Sequence, residues 1–314
     1  MHKEIESYLA QLYPLLSANG ISCSSQRDIA YGVQLKLNKI SDTASLNVYY
    51  SQKNGISTVI GAKDANPLKN LLQALLSRNI LPHVYDPGFH EWDSWIGSDE
   101  VGKGDYFGPL ITCAFHYNKS MEKHFTTLGV TDSKRLKDGQ ISKTAKLLYS
   151  SYPNCISCIA LKPGKYNALI TSFRSQNKNL NDLLAWLHAT NIMELGSKSS
   201  GAQGILVDRF SPTQKVMRLL TAKKYPIPCI ERTGAEADPA VAAASIIARY
   251  QLIEAFASMR RFYNINFPNG ATSVVKSVGM DYIKRYGTDR LGEVAKLHFR
   301  TTEQLMFMLK QNKS

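Results

Sequence analysis

Residues Trp95–Leu110 read WIGSDEVGKGDYFGPL, and this stretch decides the fold prediction for the chain. A short apolar run leads into two adjacent carboxylates, Asp99 and Glu100, and the turn Gly102–Gly104 follows at once. Two acids at the end of a strand can hold a divalent cation, and glycines, which lack a Cβ, let a phosphate backbone approach closely. An Asp-Glu pair by itself is more typical of a solvated turn. The whole segment instead predicts metal-dependent chemistry on a polyanion.

Two later segments could add acids to the same site. Gly204–Asp208 reads GILVD, and in α/β sheets ligands bind where strands end, although capping of the next helix explains Asp208 equally well. Glu236 and Asp238 both precede an alanine-rich helix, and Asp238 followed by Pro239 has the form of an N-cap with proline at the first helical position. We favour Asp238 as the fourth acid, with Glu236 as its rival.

These segments together resemble the type 2 ribonuclease H family. The first segment is similar to the family's first motif, and its continuation Asp105–Pro109 resembles the ribonuclease HIII branch. The similarity extends over nearly the whole chain and is weaker in residues 1–80. It is strongest in four segments: Trp95–Leu110, Asp132–Leu136, Leu206–Phe210 and Ala240–Tyr250.

The resemblance implies an endonuclease that hydrolyses the RNA strand of RNA–DNA hybrids and leaves 5′-phosphate and 3′-hydroxyl ends. Two Mg²⁺ or Mn²⁺ ions would activate water and stabilise the leaving oxygen, and such hard cations select carboxylate ligands. The implied catalytic and metal-binding acids are Asp99, Glu100, Asp208 and Asp238. The implied substrate contacts, including backbone contacts to ribose 2′-hydroxyls at the glycine turn, are Gly102, Lys103, Gly104, Ser133 and Lys134.

The order of predicted elements indicates two domains. Residues 1–80 predict a small α+β module of helix, three strands and helix, which resembles the TATA-box-binding fold and is implied to bind the hybrid duplex. Residues 81–93 are rich in proline, glycine and aromatic side chains and are interpreted as a linker. Residues 94–314 alternate strands and helices, which predicts a ribonuclease H-like mixed sheet flanked by helices with a helical C-terminal section. Asp99 and Glu100 could face one site only where the strand becomes irregular, because adjacent strand residues point to opposite faces.

Charge and composition are consistent with a nucleic-acid partner. The net charge is +13, of which residues 91–314 carry +11, and a basic protein of this kind favours an anionic partner. Five scattered cysteines argue against a disulfide framework, and no apolar run reaches the ~20 residues of a membrane span. We therefore expect a cytoplasmic monomer that does not bind membranes.

Two other functions fit the same residues. A ribonuclease HII-like enzyme would incise duplex DNA at single ribonucleotides, and the glycine turn would serve either activity. A noncatalytic hybrid-binding protein would use only the positive charge, but each retained carboxylate would then repel phosphate. An unrelated two-metal nuclease acting on DNA fits the charge and the spacing but not the motif strings.

Overall fold

The computed structural model divides the chain into two units, Met1–Val84 and Tyr85–Ser314. It describes residues 2–51, 55–62, 66–77, 90–198 and 201–311. The division lies inside the predicted linker, most of which is outside the described residues. The domain limits at 80 and 93 therefore stay predictions.

The N-terminal unit is a four-stranded antiparallel sheet, in the order β1-β2-β3-β4, with two helices. Along the second strand Val33, Leu35 and Leu37 are fully buried and alternate with more exposed residues, so one face of the sheet forms the core with the helices. The first strand was not predicted, because almost all of its side chains are polar and none is buried. The elements are α1 (Lys3–Ala18), β1 (Ser22–Ile29), β2 (Gly32–Lys39), β3 (Asp42–Ser51), β4 (Gly55–Gly61) and α2 (Pro67–Ser77).

The second unit contains a five-stranded mixed sheet in the order β7-β6-β5-β8-β9. Pairing is antiparallel from β7 through β6 to β5 and parallel from β5 through β8 to β9. The predicted mixed sheet is confirmed, and β5, which carries the Asp-Glu pair, lies at its centre. The strands are β5 (Ser94–Val101), β6 (Leu110–Asn118), β7 (Ile156–Leu161), β8 (Gly204–Asp208) and β9 (Cys229–Arg232).

Helices cover both faces of this sheet. On one face α8 packs on β5 and β6 with α4 beside it, and on the other face α6 packs against Ile96, Ile205 and Val207. The C-terminal section is helical, as predicted. The helices are α3 (Glu122–Leu128), α4 (Asp138–Ser151), α5 (Pro163–Ser175), α6 (Leu180–Lys198), α7 (Lys215–Ala222), α8 (Pro239–Tyr263), α9 (Ser273–Tyr286) and α10 (Arg300–Gln311).

Gly97 sets the distance between α8 and the central strand. A Cβ at this position would lie 2.3 Å from the backbone carbon of Ala240 and from the backbone nitrogen of Val241. Only glycine therefore lets the first turn of α8 rest directly on β5. This contact aligns the residues of α8 with the end of β5, where the two acids lie.

Helix α8 is apolar because it forms the core of this unit. Among the residues that the structure describes, it is the one helix whose length and composition would suit a membrane span, and half of its most apolar window is buried inside the protein. Ala240, Ala243 and Ile247 are fully buried in the cluster between the helix and the sheet.

Two of the five cysteines are joined in a bridge that the sequence analysis did not predict. Cys113 and Cys158 lie directly opposite each other on β6 and β7, and the structure joins them in a disulfide. The two residues are 45 positions apart in the sequence, so only the strand register brings them together. Cys155, which the sequence places close to Cys158, is free.

We expect Gly97→Ala to destabilise the protein by about 3 kcal/mol or more, because the new methyl group must push α8 away from β5. The matched control is Gly139→Ala in α4, where a Cβ has no neighbour within 4 Å. That substitution should be neutral or slightly stabilising, since alanine is the better helix former. Thermal or denaturant unfolding of both variants checks this, and equal stabilities would contradict the close contact at Gly97.

Candidate active site

The acids of β5 and β8 meet at one end of the sheet because the parallel pairing of these strands stops there. The last parallel pair is Ser98 with Val207, so Asp99 and Asp208 follow it side by side. Side chains on paired residues point to the same face, and this is the face that α8 covers. Beyond this pair β5 is paired only with β6, so the edge of β5 that faced β8 is open. This open edge lies at the carboxyl end of the strand, where ligands bind in such sheets.

Asp99 and Glu100 diverge to opposite faces of the sheet. Their strand stays regularly paired with β6 through Val101, so the strand irregularity expected at the two acids is absent and the turn begins one residue later. Asp99 faces α8, where Ser245 hydrogen-bonds its carboxylate. Glu100 faces α6, where its Oε2 is 3.3 Å from Nε2 of His188. The two acids share one region because both lie beyond the end of the β8 pairing.

Uncompensated negative charge is concentrated at this edge. Burial, and then repulsion by Glu100, raises the pKa of Asp99 to about 7, against the opposing effect of Ser245. The pKa of Asp208 is also raised, by burial and then by Glu236, while a hydrogen bond from the backbone N–H of Ala235 at 3.2 Å opposes the shift. The carboxylates therefore act on one another and form an electrostatic cluster.

Glu236 belongs to this cluster. It lies in a single turn of 3-10 helix, Ala235–Ala237, directly before α8. Its Oε1 is 2.6 Å from Nζ of Lys134. Burial alone would raise the pKa of Glu236, but the hydrogen bond and charge of Lys134, a backbone hydrogen bond and the charge of Arg135 together lower it. Glu236 therefore stays charged beside Asp208.

Asp238, which we favoured from the sequence as the fourth acid, is buried at the beginning of α8. Its side chain is fully buried, and its Oδ1 accepts hydrogen bonds from the backbone N–H groups of Ala240 at 2.9 Å and Val241 at 3.1 Å. The indole of Trp95 donates to the same oxygen at 3.0 Å, and Nε2 of His90 is 3.5 Å from Oδ2. Asp238 is thus the N-cap of α8, as its Asp-Pro sequence also allowed, and the electrostatic cluster contains Glu236 in its place.

The glycine turn combines one constrained glycine and one open glycine. Gly102 has a φ of +86°, and a Cβ there would lie 2.3 Å from the carbonyl oxygen of Pro109. Gly104 has no atom within 4 Å of the corresponding position, so its backbone can be approached by a ligand. Nζ of Lys103 donates to the carbonyl oxygen of Phe210 at 3.3 Å and lies 5.3 Å from the centre of its ring, which fastens the turn to the end of β8.

The second substrate motif lies against the same acids. Ser133 is buried, and its hydroxyl is 2.8 Å from that of Ser245, which in turn contacts Asp99. Its carbonyl oxygen accepts a hydrogen bond from Arg249 at 2.5 Å. Lys134, the next residue, reaches Glu236. The motif is therefore connected to the cluster at two points.

Lys296 supports the loop that follows the glycine turn. It is fully buried, and its Nζ donates to the carbonyl oxygens of Asp105 at 2.7 Å and Gly108 at 2.8 Å. Burial lowers the pKa of Lys296 to about 8 and that of nearby His298 to about 4. His298 is therefore neutral near pH 7 and contacts the hydroxyl of Tyr166 at 3.2 Å.

Sequence reasoning missed three residues that hold this site together. They are Ser245, which was included only as part of Ala240–Tyr250, and Lys296 and His188, which were not singled out. Each is a polar residue in a largely apolar environment, and that contrast was the available signal. These three residues contact the acids or the substrate loops from α8, from the segment before α10 and from α6.

The donor set suits a hard divalent cation. Four carboxylates, Asp99, Glu100, Asp208 and Glu236, supply only oxygen atoms, and oxygen ligands favour Mg²⁺, Mn²⁺ or Ca²⁺ over softer metals. Among the residues that the structure describes, no three ligand-type side chains already converge on one point. Burial and repulsion between the carboxylates raise the pKa of Asp99 and of Asp208, and a cation bound by the acids would offset that repulsion.

Comparisons with known proteins identify the family of this chain. The family model described as Ribonuclease HII matches residues 96–302. Ribonuclease HIII of Protochlamydia amoebophila (strain UWE25) is 38% identical over 213 residues, which cover 67% of this chain and 68% of the relative. Ribonuclease HIII of Chlamydia trachomatis serovar L2 (strain ATCC VR-902B) is 33% identical over 275 residues, or 85% of each chain.

A solved structure extends the likeness to nearly the whole chain. Bst-RNase HIII in complex with Mn²⁺ has a TM-score of 0.64 and 26% identity, and the match covers 96% of this chain and 97% of that one. The expected family is therefore confirmed. From the sheet with its acidic edge, the family match over more than half of the chain and these relatives, we conclude that the chain belongs to the ribonuclease HII family, as a ribonuclease H enzyme related to the ribonucleases HIII.

Proposed function

We propose that this enzyme hydrolyses the RNA strand of RNA–DNA hybrids with Mg²⁺ or Mn²⁺ and leaves 5′-phosphate and 3′-hydroxyl ends. The observation that carries the proposal is the cluster of four carboxylates at the end of β5 and β8, next to the open backbone of Gly104. The related Bst-RNase HIII has been solved in complex with Mn²⁺, which supports a divalent cation as the cofactor. Family membership supports the RNA–DNA hybrid as substrate.

We assign the cation-binding role to Asp99, Glu100, Asp208 and Glu236. Bound cations would activate water and stabilise the charge that develops on the phosphate and on the leaving oxygen. The chain itself orients the acids: Ser245 holds Asp99, and the N–H of Ala235 holds Asp208. A metal-activated water is the nucleophile in this proposal, so no protein side chain forms a covalent intermediate.

The loops around the cluster would bind the substrate backbone. Gly104 is exposed and has open space at its Cβ position, so its backbone can approach ribose 2′-hydroxyls, the groups that distinguish RNA from DNA. The side chain of Lys134 is 71% exposed although it contacts Glu236, so it can also meet a phosphate. Gly102 and Lys103 shape the turn, and Ser133 fixes the second loop through its contacts with α8.

The substrate assignment is tested with an end-labelled RNA–DNA hybrid run beside a DNA duplex that contains one ribonucleotide, each with Mg²⁺ or Mn²⁺. We expect several cuts in the RNA of the hybrid and resistance of the single-ribonucleotide duplex. Cutting confined to the single ribonucleotide would instead assign the ribonuclease HII-like activity. Binding of the hybrid without cleavage by either metal would contradict the proposed catalysis.

The choice between Glu236 and Asp238 is tested with two isosteric variants that each remove one charge. We expect Glu236→Gln to lower hybrid cleavage by at least about 100-fold, because a cation ligand is lost. Asp238→Asn should retain most of the activity, since asparagine serves as an N-cap as well as aspartate does. Rates are measured at saturating metal, with the melting temperature of both variants as the control. Loss of activity in Asp238→Asn at unchanged stability would return the fourth acid to Asp238.

The raised pKa of Asp99 predicts how stability and metal binding depend on pH. With a pKa of about 7 in the folded state and 3.8 as the ordinary value, Asp99 binds its proton more tightly when the protein is folded. The stability that this group contributes to the metal-free protein is therefore present below pH 4 and is lost as the pH rises through 7. Mn²⁺ binding should strengthen over the same range, because the proton competes with the cation.

Unfolding of the metal-free protein between pH 4 and pH 8 measures this effect. Asp99→Asn, which cannot titrate, serves as the comparison. We expect the stability difference between the variant and the wild type to grow in favour of the variant as the pH rises. A difference that stays constant from pH 4 to pH 8 would show that Asp99 has an ordinary pKa.

A further inference from the structure

His188 is a fully buried polar residue in the middle of α6, and it faces the acid that diverges from the others. Its Nε2 is 3.3 Å from Oε2 of Glu100, and its Nδ1 is 2.7 Å from the hydroxyl of Ser98. We propose that His188 is a positioning residue that holds the Glu100 carboxylate in the orientation needed to bind the divalent cation. This inference rests on the proposed function of the carboxylate cluster.

Each ring nitrogen of His188 has a polar partner of its own, Ser98 at Nδ1 and Glu100 at Nε2. The hydroxyl of Ser98 has a single hydrogen, and its oxygen is 2.9 Å from the carbonyl oxygen of Cys113 as well as 2.7 Å from the ring. If Ser98 donates to Nδ1, neutral His188 carries its proton on Nε2 and donates it to Glu100.

The ring is held in place by its surroundings. It stacks on Phe210 with centroids 5.2 Å apart and an angle of 12° between the planes. Phe210 follows Asp208 by two residues and also accepts the Lys103 contacts on its carbonyl and ring. His188 thus connects Glu100 with the end of β8 and with the glycine turn. A carboxylate that is bonded to so constrained a donor loses little further freedom when it binds a cation.

The position of Glu100 explains why such a donor is needed. Asp99 and Asp208 share the α8 face with Ser245 and the N–H of Ala235 as partners, but Glu100 points to the other face of the sheet. Its side chain is 11% exposed, and it is the acid of the cluster that α6 can reach. Helix α6 therefore supplies a separate hydrogen-bond partner, His188, for the carboxylate of Glu100.

Three variants test the proposal. His188→Phe retains the stacking on Phe210 but removes both nitrogen atoms, whereas His188→Gln can place an N–H where Nε2 lies. The matched control is His116→Gln, which alters a buried histidine whose Nε2 contacts the hydroxyl of Ser94 at 2.8 Å and is bonded to none of the acids. The full chain is used throughout, and the probe is Mn²⁺ alone, titrated calorimetrically without nucleic acid.

We expect His188→Phe to weaken Mn²⁺ binding by about 10–100-fold, as the loss of partners of metal ligands usually does. His188→Gln should recover most of this loss, and His116→Gln should change only the melting temperature. Wild-type Mn²⁺ affinity in His188→Phe would overturn the proposal, as would absence of Mn²⁺ binding to the wild-type protein.

If His188→Phe does not fold, His188→Gln is compared with His188→Asn, whose shorter amide reaches only the position of Nδ1. Tighter Mn²⁺ binding by the glutamine variant supports the proposal, and equal binding overturns it.

A parallel cleavage assay separates this inference from the proposed function. If the wild-type protein binds Mn²⁺ but does not cut an RNA–DNA hybrid, the proposed function fails, while the Mn²⁺ titrations still decide the role of His188. If the wild type cuts the hybrid and His188→Phe binds Mn²⁺ normally, only the role of His188 fails.

Discussion

The contact between α8 and the central strand at Gly97 is the constraint on which the site depends. It brings the first turn of the helix onto β5, and this fixes the position of every later residue of α8 relative to the end of the strand. Ser245, one and a half turns along the helix, then meets Asp99. The buried cap at Asp238 holds the beginning of the same helix, and Glu236 lies in the turn just before it. A side chain at position 97 would displace all of these groups together.

Electrostatic repulsion is the cost of this arrangement. The end of β5 and β8 brings several carboxylates into one partly buried region, and burial together with their mutual repulsion raises the pKa of Asp99 and of Asp208. Lys134 offsets part of the charge at Glu236, but its exposed side chain cannot neutralise the whole cluster. In the proposed function, a divalent cation held by these acids would offset this repulsion.

The sequence predicted residues whose positions follow from local sequence patterns. It did not predict residues whose positions depend on contacts between distant elements. Asp99 and Asp208 could be assigned to the ends of neighbouring strands because each follows an apolar run. The choice between Asp238 and Glu236 could not be made from the sequence, because a cap and a ligand look alike there. In the structure the carboxylate of Asp238 accepts a hydrogen bond from the indole of Trp95. His188 was not singled out, because α6 has no clear amphipathic periodicity that would show which of its polar residues face the core. Strand β1 was missed for the opposite reason, because a polar edge strand has no buried face.

The regular geometry of β5 gives the site its two-sided construction. Because adjacent strand residues alternate between faces, an Asp-Glu pair at a regular strand end cannot be served by one helix. The structure meets this with one donor on each face, Ser245 from α8 for Asp99 and His188 from α6 for Glu100. Both donors sit on long helices packed against the sheet and not on loops, so the orientation of each acid follows from the packing of the core. The precision of the acidic edge is therefore a property of the three-layer fold itself.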